Sequence, residues 1–397
     1  MKLPPPNFHH LQRLSDDTGL IEHAWFELPR RYCGYTVDDV ARGLLVLCRE
    51  PQAETMPRLV TLAETYLDFL YDALRNGRFR NRMSYAREWT DTVQSDDAHG
   101  RALWALGTAA HCAPSAVMKR TAMRLFEAAS RFDTTYPRAN AYAVLGAAEL
   151  YQTDSQNAHA ITLLEQWSTR LPRLLDSQQW PWPEPRLSYD NARIPQSLLV
   201  AGALTHNASM VEQGLALLQW LVKVEMRGVH FSFTPTRGWR LGESRPGFDQ
   251  QPLEAAAMVD ACVDAFRITG DTAWADLGMT AARWFLGAND KNLNLYDDRT
   301  GGCFDGLTAD GVNENQGAES TVACIAALQQ ARRIDSMLYD RRLQGEQQVG
   351  FVDSGRANGA VGRSVGQIDG AVTKAMGTAD KDHVVDITPP LPRQLGH

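Results

Sequence analysis

Six segments of this chain are apolar on nearly every helical face: Val37–Cys48, Asp97–Ala110, Ala139–Tyr151, Asn191–Leu204, Leu253–Ile268 and Ala318–Ala331. A helix that is apolar all round must be buried all round. Between these segments lie helices of the ordinary surface kind, with one apolar stripe and one polar face. In Met56–Arg75, Leu59, Leu62, Ala63, Tyr66 and Leu70 recur at three- and four-residue spacings, while Glu64, Asp68 and Asp72 fall elsewhere on the wheel. Ser115–Arg131, Ala158–Leu175, Ser209–Val224 and Thr272–Leu286 repeat that pattern. The alternation returns after about 45–70 residues, a repeat of architecture rather than of sequence. It predicts an all-α fold, an (α/α)6 toroid in which six inner helices are ringed by outer ones. Gly43, Gly100, Gly107, Gly146 and Gly202 allow the inner helices to approach closely. Arg332–Leu343 is expected to supply the twelfth helix, or else the N-terminal segment to close the ring.

The expected toroid domain covers residues 1–344. From Gly345 to His397 the chain turns rich in Gly, Gln, Asp and Pro and loses periodicity, so 345–397 is expected to be a flexible tail. The net charge of −7 and the lack of any Lys/Arg cluster give no support for a nucleic-acid partner. No apolar run approaches the ~18–20 residues of a membrane span, and the proline-rich Met1–His10 does not read as a secretory signal. A cytoplasmic location is the resulting expectation. The six scattered cysteines fit buried free thiols in a reducing compartment. The ten histidines show no ligand spacing, so no metal is expected, and no cofactor is called for.

The chemistry gathers ahead of each inner helix. In chain order the starts read Tyr35-Thr36-Val37-Asp38-Asp39, Ser95-Asp96-Asp97-Ala98-His99, Tyr136-Pro137-Arg138-Ala139-Asn140, Tyr189-Asp190-Asn191-Ala192-Arg193, Phe248-Asp249-Gln250-Gln251 and Asn313-Glu314-Asn315-Gln316-Gly317-Ala318-Glu319. In a toroid the inner helices run parallel, so these six starts meet at one mouth. Capping explains some of the acids and amides, but Gln, Asn, His and Arg inside the first turns exceed what capping needs. The preceding loops add Asn81, Tyr85, Arg87, Glu88 and Trp89, then Trp180, Trp182 and Glu184, then Asp305. Aromatic faces suit the C–H faces of sugar rings, and carboxylates and amides suit hydroxyls.

The segments YTVDDVARGLL, FRNRMSYAREWTDTVQSDDAHGRALWALG, WPWPEPRLSYDNARIPQSLLVAG, FDQQPLEAAAMVDAC and GGCFDGLTADGVNENQGAESTVA resemble a bacterial family of α/α-toroid proteins associated with glycosyltransferases. The resemblance spans roughly His10–Ala331. It implies a carbohydrate-active toroid related by fold to six-hairpin glycosidases, glycoside phosphorylases and sugar 2-epimerases. An oligosaccharide or glycan is then the expected substrate, with a glycosyltransferase as a partner.

Glycoside hydrolysis, inverting rather than retaining, is the favoured expectation. It needs a protonated carboxyl and an ionised one, drawn from Asp39, Glu88, Asp97, Glu184, Asp190, Asp249, Glu254, Asp305, Glu314 and Glu319. Glu184 is the first choice for the acid, because two tryptophans and two prolines would cage it and raise its pKa. Asp97, then Glu319, is the preferred partner. Asp39, Arg87, Glu88, Trp89, His99, Trp182, Tyr189, Asp190, Asn191, Arg193, Asp249, Gln250, Asp305 and Asn315 are the expected substrate contacts. Three alternatives stand beside it. An epimerase or isomerase would use His99 as its base, and a phosphorylase would clamp phosphate with Arg42, Arg87, Arg101 and Arg193. A non-catalytic glycan-binding partner of a glycosyltransferase would need no carboxylate pair.

Overall fold

The computed structural model describes residues 3–51, 53–170 and 179–357. The chain divides into a compact unit, Met1–Ser336, and a second unit, Met337–His397. Its helices are α1 (His9–Leu14), α2 (Val37–Cys48), α3 (Pro57–Ala73), α4 (Asp96–Cys112), α5 (Ala116–Ala129), α6 (Pro137–Thr153), α7 (Ala158–Arg170), α8 (Arg193–Leu204), α9 (Ala208–Glu225), α10 (Pro252–Thr269), α11 (Thr272–Arg283) and α12 (Ala318–Ala357).

The even-numbered helices form an inner ring. α2 packs on α4, α4 on α6, α6 on α8 and α8 on α10. α12 closes it on both sides: Gln330 donates to Asp260 of α10, and Gln329 Nε2 donates to the Val46 carbonyl of α2 at 2.9 Å. The first five inner helices each pack against the next odd-numbered helix, from α2 with α3 to α10 with α11. The architecture is an α/α toroid.

Local sequence explains where the helices begin. Thr36 and Ser95 cap α2 and α4 by accepting the N–H groups of Asp39 and Ala98. Pro137 and Pro252 occupy the first turn of α6 and α10, where no N–H is needed. Glycine sets the closest approach, between α4 and α6. A Cβ on Gly107 would lie 2.0 Å from the Gly146 carbonyl oxygen, and one on Gly100 would lie 2.4 Å from that of Ala139.

The ring is closed by α12 itself, and of the two expected candidates it is the N-terminal segment that joins the start of α12. His10 Nε2 lies 2.8 Å from the Gln316 carbonyl, and the Ala318 N–H donates to Glu22 O at 3.0 Å. Residues 332–343 simply continue α12. The boundary expected at 345 therefore falls inside a helix, which runs to Ala357. The remainder of the expected tail, 358–397, lies outside the described residues.

Among the described residues, five antiparallel β pairs of two residues each lie in the segments that lead from outer to inner helices. One pair, Tyr35–Thr36 with Arg82–Met83, ties the approach to α2 to the approach to α4. The six cysteines are all free, and Cys48, Cys262, Cys303 and Cys324 are buried. Among the described residues, no helix is long and apolar enough to cross a membrane.

Candidate active site

Ion pairs and hydrogen bonds link the first two turns of all six inner helices. Glu319 of α12 accepts from Arg42 Nη1 of α2 at 2.7 Å, and Arg42 Nη2 lies 3.0 Å from Asp38. Arg101 of α4 donates through one nitrogen to both Asp38 oxygens at 2.6 and 2.7 Å. Its other terminal nitrogen reaches Tyr142 of α6 at 2.8 Å and Asp190 at 3.5 Å. Arg138 of α6 donates to Asn191 at 2.9 Å. Glu254 of α10 accepts from the Asp190 and Asn191 backbones and from the Asn191 side chain. The parallel arrangement expected of the ring thus brings all six starts to one end.

A second layer lies below. Arg193 of α8 is held by Asp190 at 3.2 Å and Asp260 at 2.5 Å, and Arg49 reaches the same Asp260 at 3.1 Å. Both guanidinium groups stack over the Trp104 ring, at 4.6 and 5.3 Å. Between the layers is a cavity of about 30 Å³, bordered by Arg42, Arg101, Asp190, Arg193 and Asp260 and, over most of its lining, by apolar side chains such as Leu45, Val46 and Leu253.

Electrostatics separates the carboxylates. Burial opposes ionisation of Asp38, but Arg101 and Arg42 outweigh it and hold that carboxyl at about 2. Its neighbour behaves oppositely. Burial pushes Asp39 up, Arg42 pulls it back, and the charges of Asp38 and Glu319 push it again, to about 7. Thr36 Oγ1 donates to Asp39 Oδ2 at 2.7 Å and accepts the Asp39 N–H at 3.0 Å, leaving Oδ1 turned toward Arg42 at 3.8 Å. Burial, followed by the charges of Glu225 and Asp190, raises Glu254 to about 8.

The expected site residues fall into two groups. Asp39, Asp97, Tyr189, Asp190, Asn191, Arg193 and Glu319 belong to the network or touch it, Asp97 by accepting the Tyr189 hydroxyl. Asp305 and Asn315 lie beside the start of α12. Asn315 donates to Asp305 and to His23 Nδ1, and Asp305, raised by burial, accepts the Gly317 N–H. The rest are elsewhere. Arg87 pairs with Asp17 at 2.8 Å in an exposed loop, and Glu88 is exposed beside it. Trp89 packs on Phe69 of outer helix α3 and donates to Asp72. Trp182 is fully buried against Trp220 of α9, filling the wall rather than offering a face to sugar. Gln250 is buried and spends its amide on Phe233 N, the Gly247 carbonyl, Trp284 Nε1 and Asp290. Asp249 is exposed on the loop before α10.

Two expectations about chemistry are corrected. Both tryptophans do sit beside Glu184, Trp182 Nε1 donating to its carboxylate at 3.3 Å, but the surroundings are not apolar, because Arg138 Nη1 donates to both its oxygens at 2.7 and 2.8 Å. His99 points away from the mouth into the gap between α4 and its outer neighbours. Its ring is within reach of Phe79 N and the Ala129 carbonyl and packs on Phe79 and Phe132. Burial, then Arg78, lowers its pKa to about 3, so it stays neutral.

Sequence reasoning passed over Asp38, Arg138, Tyr142 and Asp260. A visible signal existed for the last, since Asp260 is a lone carboxylate in the otherwise apolar run AAAMVDACV. Asp38 and Arg42 also stand four apart on one helix face. Two tyrosines keep exposed rings where the tryptophans are buried. Tyr189 is 37% exposed with the Arg138 guanidinium 4.7 Å from its ring, and Tyr85 stacks on Tyr35.

No family model matches this chain, and no curated protein matches it. The narrower resemblance to a glycosyltransferase-associated family therefore rests on the quoted motifs alone. Solved structures do share the fold. A sugar epimerase from a ruminal bacterium is 12% identical with a TM-score of 0.60, over 81% of this chain and 94% of that one. Cellobiose 2-epimerase from Bacillus thermoamylovorans is 12% identical with a TM-score of 0.62, over 82% and 96%. The GH76 α-mannanase of Bacteroides thetaiotaomicron is 12% identical with a TM-score of 0.55, over 77% and 88%. The likeness is one of fold. Sugar epimerases and an α-mannanase thus share this shape, so reaction type must be argued from the site.

Proposed function

We propose that the chain is a carbohydrate-active enzyme whose mouth hydrolyses a glycosidic bond. The observation that carries this reading is the pair Asp39 and Glu319 on either side of Arg42. Asp39, at about 7, holds a proton near neutrality, and its Oδ1 is free of the Thr36 bond. Glu319 is ion-paired through one oxygen and partly exposed, so its other oxygen is available to a water. One guanidinium spans both groups at 3.8 and 2.7 Å, which keeps their nearest oxygens inside the ~9.5 Å limit for an inverting pair.

In this reading Asp39 protonates the leaving glycosidic oxygen as the C–O bond breaks. Glu319 takes a proton from the water that forms the new C–O bond on the opposite face. The other two carboxylates expected to carry chemistry become positioning residues. Glu184 fixes Arg138 beneath Tyr189, and Asp97 orients the Tyr189 ring through its hydroxyl. Epimerisation has less support, since the histidine it would use faces the outer helices. A glycosyltransferase partner has only the motif resemblance behind it.

The test is a panel of neutral oligosaccharides with products followed by NMR. Hydrolysis with inversion at the anomeric carbon is expected. A C2 epimer formed without chain cleavage, or cleavage that requires phosphate, would replace this reaction with one of the alternatives.

A further inference from the structure

Each guanidinium that borders the mouth is already engaged by carboxylates. Arg42 lies between Asp38 and Glu319, Arg101 between Asp38 and Asp190, Arg193 between Asp190 and Asp260, and Arg138 against Glu184. The layering matters as much as the pairing. The side chains of Asp38 and Glu319 are 25% and 35% exposed, while those of Arg42 and Arg101 are 12% and 6% exposed. A ligand descending into the mouth meets carboxylate oxygens first, with the cations behind them.

That order decides what the mouth accepts. A sugar hydroxyl donates to an outward carboxylate lone pair and leaves the ion pairs in place. An anionic group has two unfavourable choices. It lies against Asp38 and Glu319 at like charge, or it displaces one of them from its guanidinium and strands a partly buried carboxylate. We infer that the mouth selects neutral, hydroxyl-rich sugars and rejects uronate- or phosphate-bearing ones, with Asp38 setting that selectivity. This inference rests on the mouth being a glycan site. It also argues against inorganic phosphate as a co-substrate, because Arg42, Arg101 and Arg193 are not free to clamp it.

Asp38→Asn keeps the shape of the side chain and removes the charge that holds Arg101 and Arg42. Binding of a neutral oligosaccharide and of its C6-oxidised uronate counterpart is measured by calorimetry, for both the wild type and the variant. Inorganic phosphate is added separately in a thermal-shift assay. The wild type should bind the neutral sugar at least ~10-fold more tightly than the uronate and show no stabilisation by phosphate. The variant should narrow that preference and gain stabilisation by phosphate. Wild-type preference for the uronate, or stabilisation of the wild type by phosphate, overturns the inference. If no sugar binds the wild type, the glycan reading fails while the phosphate measurement still decides the charge rule. Should Asp38→Asn not fold, Glu319→Gln, on a more exposed side chain, relieves the same guanidinium of Arg42.

Discussion

The α12–α2–α4 side of the mouth and its α8–α10 side carry the same sequence signature, carboxylates and amides in the first turns of inner helices. They use it in opposite ways. On the first side Asp38 and Glu319 stay partly exposed beside the buried Asp39, which is raised to about 7 much as Glu254 is raised on the other side. On the second, Asp190, Asn191, Gln250 and Glu254 are buried, and their polar atoms are taken up by one another, by backbone and by side chains such as Arg101, Tyr142, Arg193, Trp284 and Asp290. Asp190 even adopts φ +49°, a left-handed conformation that costs ~1–3 kcal/mol in most residues. Glu254 holds it by accepting its N–H and that of Asn191. In the proposed reading the first side meets the ligand and the second fixes the geometry around it.

Substitution on the ligand-facing side should give the largest effect. Asp39→Asn removes the transferable proton at nearly constant shape, so turnover should fall ~10²–10⁴-fold with the melting temperature little changed. Kinetics like those of the wild type would take Asp39 out of the mechanism and dissolve the contrast.

A pH profile sharpens the same point. Turnover needs Asp39 protonated, so the rate should fall about tenfold per unit above its pKa of about 7. The stability linkage has a definite sign. The folded chain holds a proton on Asp39 that the unfolded chain has lost above its ordinary 3.8. The contribution is therefore full below that value and is lost as pH rises through about 7. An alkaline limb that persists in Asp39→Asn would assign the titration to another group.

On the structural side, Glu254→Ala strips the acceptor from two backbone N–H groups and one amide. A loss of ~1–3 kcal/mol per unsatisfied buried group should lower the melting temperature by several degrees. An unchanged melting temperature with lost sugar binding would move Glu254 to the ligand-facing side. Trp182→Phe should have the smallest effect. It keeps the stacking on Trp220 and loses the 3.3 Å bond to Glu184, ~0.5–1.5 kcal/mol, with sugar affinity intact. A fall in affinity beyond about tenfold would make Trp182 a sugar platform after all.

Much of the ring was readable because helical burial is periodic. A segment such as LEAAAMVDACV, apolar on every face, has nowhere to sit but the inside of a ring. Thr36 and Ser95 are polar caps, so the helix starts were also legible. The direction of a side chain around an inner helix was not. Asp97 and His99 stand two residues apart at the start of α4. The helical turn between them sends Asp97 to the Tyr189 hydroxyl at the mouth and His99 outward onto Phe79 and Phe132. Similarly, WPWPE reads as an aromatic cage around Glu184 until α6 supplies Arg138 from 46 residues away.

The sequence by itself determined the number of inner helices, their alternation with amphipathic ones and the gathering of polar residues ahead of each. All of these follow from spacing along one chain. Only the tertiary structure decided which carboxylate faces which guanidinium. Asp38 and Asp39 are adjacent in sequence, yet one is held at about 2 and the other raised to about 7. Burial opposes ionisation of both; Arg101 of α4 and Arg42 outweigh it at Asp38, while the charges of Asp38 and of Glu319 on α12 add to it at Asp39. Coulomb interactions depend on distance in space, and a closed ring brings Arg101 and Glu319 to the same turn of α2 from opposite directions.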